Sequence, residues 1–140
     1  MFLFTGKNDE RKGDIMRKVI LVADDSSTVR KFVSYCLKLK QFDVITAEDG
    51  MDALEKMSTS KVDMAIVDLN MPYMDGYELI ETLRKSEDYE ELPIVILSSE
   101  GSEAAIDKGQ DAGADSYMVK PFDQEQLQNL VAKHLGNWGE

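Results

Sequence analysis

The sequence predicts a doubly wound α/β sandwich of three layers, in which one five-stranded parallel sheet is covered by helices on both faces. From residue 18 onward, short apolar runs alternate with longer amphipathic stretches in five strand–helix repeats. This order is typical of parallel α/β folds with right-handed crossovers. Most of the runs are rich in Val and Ile, and the first and fourth are continuously apolar, as expected for strands buried on both faces.

The apolar runs give the predicted strands, at residues 19–23, 44–47, 62–67, 94–97 and 117–119. Residues 1–16 are polar and mixed in charge, so we expect a flexible N-terminal leader, with Met16 as an alternative start. The folded domain is expected to cover residues 17–136, which leaves 137–140 as a short tail. A length of 140 residues fits one such domain.

Amphipathic helices are predicted between the strands and after the last one. The clearest pattern follows the first strand, where apolar residues recur at helical spacing along one face. These residues are Val29, Phe32, Val33, Cys36 and Leu37. Shorter apolar sets mark helices around residues 53–57 and 79–83. The last helix is expected to have Asp123 as its N-cap and to end before Gly136.

The helix predicted at residues 103–112 has the weakest pattern of the five. It offers few apolar side chains, most of them alanine, and Gly109 interrupts the series. A helix with so little apolar surface is held loosely against a sheet. We therefore expect this helix to be the element that moves.

Charge and composition exclude several classes of function. Lysine and arginine total 16 against 27 aspartates and glutamates, a net charge of −11. A chain of this charge is repelled by nucleic acids and by anionic membrane surfaces. No apolar run has the length of a membrane span, and the single cysteine rules out an intrachain disulfide. We expect a cytoplasmic monomer that neither inserts into membranes nor binds nucleic acid.

Chemically active side chains follow four of the five predicted strands. In parallel α/β sheets, ligands bind at the carboxyl ends of the strands, which lie along one edge. The residues found there are Asp24 and Asp25 after the first strand, Asp68 after the third, Ser98 and Ser99 after the fourth, and Lys120 and Pro121 after the fifth. Three carboxylates, a hydroxyl and an amine are therefore expected to converge on one site.

This set of groups favours phosphoryl chemistry with a metal ion. Three adjacent carboxylates repel one another unless a cation intervenes, and oxygen ligands of this kind favour Mg²⁺. A carboxylate that the metal does not fully occupy can attack phosphorus, while Lys120 and Ser98 contact the transferred oxygens. Taken singly, each residue has an ordinary role as a turn former, a helix cap or a solvated lysine. Their joint placement at one edge favours the site.

The pattern resembles a known family, the receiver domains of two-component response regulators, with CheY-like single-domain chemotaxis regulators nearest in layout. The matching stretches are residues 19–26, 66–76, 92–99 and 112–122, and the likeness spans residues 18–135. A double aspartate or a Lys-Pro pair alone is weak, but four motifs in order at the strand ends are very specific. The expected strand order is 2-1-3-4-5, as in flavodoxin-like folds.

The resemblance implies a role for each residue of the acidic edge. Asp68 is the phosphoacceptor. Asp24 and Asp25 hold Mg²⁺ together with Asp68, and the main-chain carbonyl of Asn70 is a further ligand. Lys120 pairs with the phosphoryl group.

The resemblance also implies a conformational switch. Ser98 is the hydroxyl that moves to the phosphate, Tyr117 is the aromatic side chain that then turns inward, and the Lys120–Pro121 bond is cis. The family varies at two positions that affect phosphate lifetime. They are Asn70 and Glu100 here, a pair that implies fairly rapid self-dephosphorylation.

The implied partners are a sensor histidine kinase or phosphotransfer protein as phosphodonor and an unidentified downstream protein. In the family, the first helix and the loop after the fifth strand face the donor. The output face is built from helix 103–112, the fifth strand and the last helix. With no effector domain following, output is expected through protein binding or onward phosphotransfer, and a flagellar motor, a phosphorelay and a pilus or adaptor system all remain open.

Three other classes of protein share part of this pattern. An aspartate-nucleophile phosphatase has an Asp-x-Asp motif, but Asn70 stands at the second position here. A flavodoxin-like phosphate binder needs a glycine-opened loop after the first strand, where this chain has residues 26–28, all hydroxylated. A pseudo-receiver lacks an acid or the lysine, and none is missing here.

Overall fold

A computed structural model describes residues 17–136 of the chain. The predicted leader at residues 1–16 and the predicted tail at 137–140 lie outside the described residues. Within them, five strands and five α-helices alternate along the chain. The predicted α/β class is confirmed.

The five strands form one parallel sheet in the order β2-β1-β3-β4-β5, which confirms the predicted order. The strands are β1 (Val19–Ala23), β2 (Asp43–Ala47), β3 (Met64–Asp68), β4 (Ile94–Ser98) and β5 (Ser116–Val119). β3 begins two residues later than predicted. The reason is Asp63, whose carboxylate accepts a hydrogen bond from the Val19 amide at 2.8 Å while its own amide donates to the Val19 carbonyl at 2.8 Å.

Helices separate successive strands and follow the last one. They are α1 (Ser27–Lys38), α2 (Gly50–Thr59), α3 (Gly76–Arg84), α4 (Glu103–Ala112) and α5 (Gln124–Leu135), with a 3-10 turn at Glu87–Tyr89 before β4. A serine or aspartate side chain caps the N-terminus of each α-helix, satisfying a backbone N–H that has no helical partner. Asp123 is the N-cap of α5 and Gly136 ends it, as predicted.

The sheet separates two apolar cores. On one face, α2 and α3 cover alternate strand residues such as Leu21, Val67 and Ile96. On the other face, α1 and α5 cover the residues in between, such as Ile66 and Leu97. Every residue of β3 and β4 is buried, so the middle of the sheet is fixed by packing on both sides. None of the helices within residues 17–136 is long and apolar enough to span a membrane.

α1 anchors the second core and contains the single cysteine of the chain. Val33, Cys36 and Leu37 are fully buried, as predicted for the apolar stripe of this helix, whereas Phe32, which was predicted to belong to the same stripe, is 39% exposed. Burial raises the pKa of the Cys36 thiol above its usual value. The thiol is therefore a packing group in its protonated form.

α4 is packed much less firmly than the other helices. Its buried residues are only Gly109 and Ala112, and Ile106 is 36% exposed. These are small contacts compared with the Leu79, Ile80 and Leu83 side chains that anchor α3. The prediction that this helix has the weakest hydrophobic anchor is confirmed.

The beginning of α3 lies against the carboxyl end of β3. The Gly76 amide donates to the Leu69 carbonyl at 3.0 Å. A Cβ atom at this position would collide with the carbonyl oxygen of Asp68 and lie 2.9 Å from the Leu69 Cα. Glycine is required here by this close backbone approach, and the contact fixes the loop that follows Asp68.

Candidate functional site

Three carboxylates meet where β1 and β3 end. The register pairs Ala23 with Val67, so the next residues of the two strands, Asp24 and Asp68, lie side by side. Carboxylate oxygens of Asp24, Asp25 and Asp68 all lie within 4.8 Å of one another. Asp24 is 2% exposed and Asp68 is 5% exposed, whereas Asp25 faces solvent. The structure brings these three acids together, as predicted. We call the cluster of Asp24, Asp25 and Asp68 the acidic corner.

Asp24 is held by a network of hydrogen bonds. Its amide donates to the Ala47 carbonyl at 3.1 Å, and its carboxylate accepts from the Ser26 amide at 2.9 Å. Its own carbonyl accepts from the Arg30 guanidinium at 2.6 Å. The backbone around the acidic pair is therefore fastened to β2 and to α1.

Lys120 brings a positive charge into the acidic cluster. Its ammonium lies 3.1 Å from Asp24 Oδ2 and 3.5 Å from Asp68 Oδ1. The Lys120 amide donates to the Ser98 carbonyl at 2.8 Å, which extends the pairing of β4 with β5 by one residue. The Lys120–Pro121 peptide bond is cis, as the family resemblance implied.

Burial and like charge act together on Asp68. Burial, followed by the nearby charge of Asp24, raises the pKa of Asp68 to about 6, although Lys120 opposes this shift. Three carboxylates, two of them buried, and one ammonium leave an excess of negative charge here. Closely grouped oxygen ligands with excess negative charge fit a hard divalent cation such as Mg²⁺, so the donor set agrees with the predicted metal.

Ser98 lies at the end of β4 and is fully buried. Its hydroxyl oxygen accepts a hydrogen bond from the Glu100 amide at 3.0 Å. Tyr117, from β5, is half-buried and donates from its hydroxyl to the Glu100 carbonyl at 2.6 Å. Both predicted switch residues therefore bond to the main chain of Glu100, in the loop that leads into α4.

The remaining predicted residues lie in loops around the acidic corner. Asn70 is exposed and follows Asp68 by two positions, and the Glu100 side chain is also exposed. Both are accessible from solvent at the carboxyl edge of the sheet.

Sequence reasoning did not assign two contacts that the structure shows. Arg30, in the first turn of α1, donates from its guanidinium to the carbonyl of Asp24. Tyr77, in the first turn of α3, donates from its hydroxyl to the Ala105 carbonyl of α4 at 3.2 Å. Both contacts join separate elements through a side chain and a backbone carbonyl, for which the sequence carries no periodic signal.

Comparisons with known proteins agree with this site and fold. Residues 20–132 match the family described as response regulator receiver domain. The chain is 35% identical to Protein PilG of Pseudomonas aeruginosa over 116 residues, which is 83% of this chain and 86% of that protein. It is 37% identical to a chemotaxis protein CheY homolog of Campylobacter jejuni over 119 residues, 84% of this chain and 92% of that protein.

A solved structure shows the same likeness in three dimensions. Chemotaxis protein CheY4 of Vibrio cholerae superposes with a TM-score of 0.81 at 35% identity, covering 84% of this chain and 98% of that one. Residues 20–132, which match the family, include the acidic corner between β1 and β3 and, apart from Val19, every residue of the five strands. The chain belongs to the response regulator receiver domain family, as a CheY-like receiver of two-component signalling.

Proposed function

We propose that this receiver accepts a phosphoryl group on Asp68, in a Mg²⁺-dependent reaction, from a phosphohistidine of a sensor histidine kinase or phosphotransfer protein. The observation that carries the proposal is the cluster of three carboxylates within 4.8 Å of one another, with Lys120 beside two of them. The phosphorylated domain then acts as a signalling switch that binds a protein partner.

Four residues would hold the metal. They are Asp24, Asp25 and Asp68 through their carboxylates and Asn70 through its main-chain carbonyl. A bound Mg²⁺ would neutralise charge on the carboxylates and on the incoming phosphoryl oxygens. Within the protein, the Ser26 amide and Lys120 orient the Asp24 carboxylate, so one ligand is already positioned.

Asp68 supplies the nucleophile. One of its carboxylate oxygens forms the new O–P bond as the P–N bond of the phosphohistidine breaks, and the histidine nitrogen keeps the electron pair. The Lys120 ammonium lies 3.5 Å from Asp68 Oδ1, where it can stabilise charge on the transferred oxygens. Later attack of water on the acyl phosphate returns Asp68 and releases phosphate.

The proposed switch depends on the hydrogen bonds around Glu100. In the structure, the Ser98 hydroxyl accepts from the Glu100 amide, and the Tyr117 hydroxyl donates to the Glu100 carbonyl. A phosphoryl group on Asp68 offers Ser98 a stronger, charged acceptor. If Ser98 turns toward the phosphoryl group, the Glu100 amide loses its hydrogen bond to the Ser98 hydroxyl. The loop can then move and Tyr117 can turn inward, which biases the domain toward a second conformation.

The proposed output face is the surface around Tyr117. A groove of about 420 Å³ lies between α4, β5 and α5, lined in part by Ile106, Ser116, Tyr117 and Leu130. Movement of Tyr117 would change the shape of this groove directly. A protein partner that fits only one of the two shapes would read the phosphorylation state.

The proposed donor surface lies on α1. Phe32, Tyr35 and Leu39 are 39%, 60% and 49% exposed, and their i, i+3, i+7 spacing places them along one side of the helix. The Phe32 ring lies 6.0 Å from the ring of Phe122 in the loop after β5. This exposed apolar stripe is the kind of surface that receives an amphipathic helix.

Basic side chains on α1, beside the apolar stripe, indicate the charge of the donor surface. Lys31 and Lys38 are exposed, and neither pairs with a carboxylate within residues 17–136. They line, with Arg30, a shallow groove of about 540 Å³ along α1. In a chain with a net charge of −11, such a basic surface favours a donor helix with acidic side chains beside its apolar face.

Phosphorylation is tested by incubating the chain with Mg²⁺ and acetyl phosphate and measuring its intact mass. We expect the mass of a single added phosphoryl group, absent in Asp68→Asn and absent when EDTA removes the metal. An unmodified wild-type chain would refute the proposal, and multiple-turnover hydrolysis of unrelated phosphoesters would favour a phosphatase. The pair Asn70 and Glu100 further implies a short-lived phosphorylated form, which a half-life of many hours would contradict.

A further inference from the structure

The N-terminal half of α4 is held by hydrogen bonds more than by apolar packing. Ile106 is 36% exposed, and the buried residues of the helix lie in its second half, at Gly109 and Ala112. Two tyrosine hydroxyls reach the main chain in this region. Tyr117 donates to the Glu100 carbonyl at 2.6 Å, and Tyr77 donates to the Ala105 carbonyl at 3.2 Å.

Tyr77 makes a second contact with the same helix. The Lys108 ammonium lies 4.4 Å from the centre of the Tyr77 ring, a cation–π distance. Burial, then the neighbouring Tyr117 and Glu100, raises the pKa of the Tyr77 hydroxyl above its ordinary value. The hydroxyl is therefore protonated at neutral pH and can donate the hydrogen bond to Ala105.

Tyr77 is also firmly connected to the acidic corner. The preceding residue, Gly76, contacts the backbone of Asp68 and Leu69 so closely that a Cβ atom could not fit. The side chains at Asp75 and Glu78 form a capping box around it. The beginning of α3 is therefore a rigid mount, from which the Tyr77 side chain extends to α4.

The two tyrosines are neighbours around α4. The ring of Tyr117 packs directly against Gly109, where a Cβ atom would lie 3.3 Å from the ring and 2.7 Å from the Ile96 side chain, so there is no room for a side chain between helix and ring. Movement of Tyr117 and displacement of α4 are therefore geometrically linked. A tie between Tyr77 and α4 opposes that displacement.

We propose that Tyr77 is a positioning residue of the switch, which holds α4 in the resting arrangement through the Ala105 carbonyl and releases it when Ser98 and Tyr117 rearrange. This inference rests on the proposed function, because the rearrangement is the one that phosphorylation drives. A bond present in the resting state and absent in the switched state lowers the population of the switched state. Its removal therefore makes activation easier.

The test is a titration of the full chain with beryllofluoride in the presence of Mg²⁺, followed by calorimetry, for the wild type and Tyr77→Phe. The phenylalanine keeps the ring and removes only the donor. We expect its apparent dissociation constant to fall about three- to tenfold, the shift that the net contribution of one hydrogen bond would produce. An unchanged or weaker affinity would overturn the inference.

Tyr89→Phe is a matched control. The Tyr89 hydroxyl also donates to a carbonyl at 3.2 Å, that of Met57 in α2, in a region away from the switch. This variant should lose a similar hydrogen bond and keep the wild-type affinity for beryllofluoride. If both variants gained affinity equally, the effect would be unrelated to α4 and the inference would fail.

Amide hydrogen exchange gives a second measurement that does not depend on ligand binding. In Tyr77→Phe, the amides of residues 103–109 should exchange several-fold faster, whereas those of β3 should not change. Lys108→Gln, which removes the cation over the ring, should act in the same direction with a smaller effect. Unchanged exchange in α4 of both variants would contradict the inference.

The two proposals fail in different ways. A wild-type chain that neither binds beryllofluoride nor accepts phosphate would refute the proposed function and this inference with it. A wild-type chain that does both, together with a Tyr77→Phe variant of equal affinity and equal exchange, would refute only the role of Tyr77.

Discussion

The acidic corner at the ends of β1 and β3 and the face formed by α4 and β5 are built by different forces. The acidic corner is mounted on a fully buried strand, a close glycine contact and a network around Asp24. The α4 face has little buried apolar surface and depends on single hydrogen bonds from two tyrosines. The acidic corner is thus held rigidly, whereas α4 is held by a few hydrogen bonds that can break and re-form easily.

Loss of the charge in the acidic corner is expected to have the largest effect. Lys120→Met removes the ammonium beside Asp24 and Asp68, so phosphorylation by acetyl phosphate should slow by about a hundredfold or more. The rate is measured by intact mass over time. Lys85→Met, which changes an exposed lysine at the C-terminus of α3, should leave it unchanged. A Lys120→Met rate near that of the wild type would show that the cluster works without this charge.

A methyl group at Gly76, where α3 begins against the end of β3, should destabilise the fold. In Gly76→Ala, the new Cβ would collide with the Asp68 carbonyl oxygen, and relief of this overlap should cost about 2–3 kcal/mol of unfolding free energy. Gly101→Ala is the matched control, because its Cβ would meet only the two Val119 methyl groups, at 3.4 and 3.7 Å. Urea denaturation measures both. Equal stability of the two variants would mean that the loop after Asp68 is not fixed as described.

Charge repulsion in the corner predicts that Asp68→Asn stabilises the metal-free protein. The pKa of Asp68 is raised to about 6, so this group favours the folded state at low pH, and that contribution is lost as the pH rises through about 6. The variant should therefore gain about 2 kcal/mol over the wild type at pH 8 in EDTA. The gain should largely disappear near pH 4. A pH-independent difference in urea denaturation would contradict this explanation.

Substitution of Tyr117, on the proposed output face, should leave phosphorylation of Asp68 unchanged. Tyr117→Ala removes the hydrogen bond to Glu100 but touches none of the carboxylates. We expect phosphorylation by acetyl phosphate to stay within about twofold of the wild type, while binding to a phosphorylation-dependent protein partner is lost. Intact mass measures the first and co-purification with beryllofluoride-activated protein the second. Loss of phosphorylation itself would mean that the two regions are not separable.

The sequence was sufficient for much of the fold and for the membership of the acidic corner. Strands buried on both faces produce apolar runs, and parallel order brings their carboxyl ends together, so Asp24, Asp68 and Lys120 were predicted to converge. The start of β3 was missed by two residues, because Val62 continues the apolar run while Asp63 instead bonds to Val19. The pattern of apolar residues carries no information about this hydrogen bond between a side chain and the main chain.

The contacts of Arg30 and Tyr77 could not have been predicted in this way. Each joins a side chain to the backbone of another element, and such contacts depend on the rotation of helices about their axes and on side-chain rotamers. Hydrophobic periodicity gives the buried face of a helix, but it does not specify which polar side chain reaches across to a neighbour. The ties that we propose to govern switching are therefore visible only in three dimensions.

The burial of Cys36 has a practical consequence for optical studies. The only sulfhydryl of the chain is 0% exposed in the core under α1, and its raised pKa keeps it in the unreactive protonated form. A cysteine introduced at the exposed residue Gln110 of α4 would thus be the preferred target of a maleimide dye. Fluorescence from that dye would follow the displacement of the helix in real time, with the native thiol left in place.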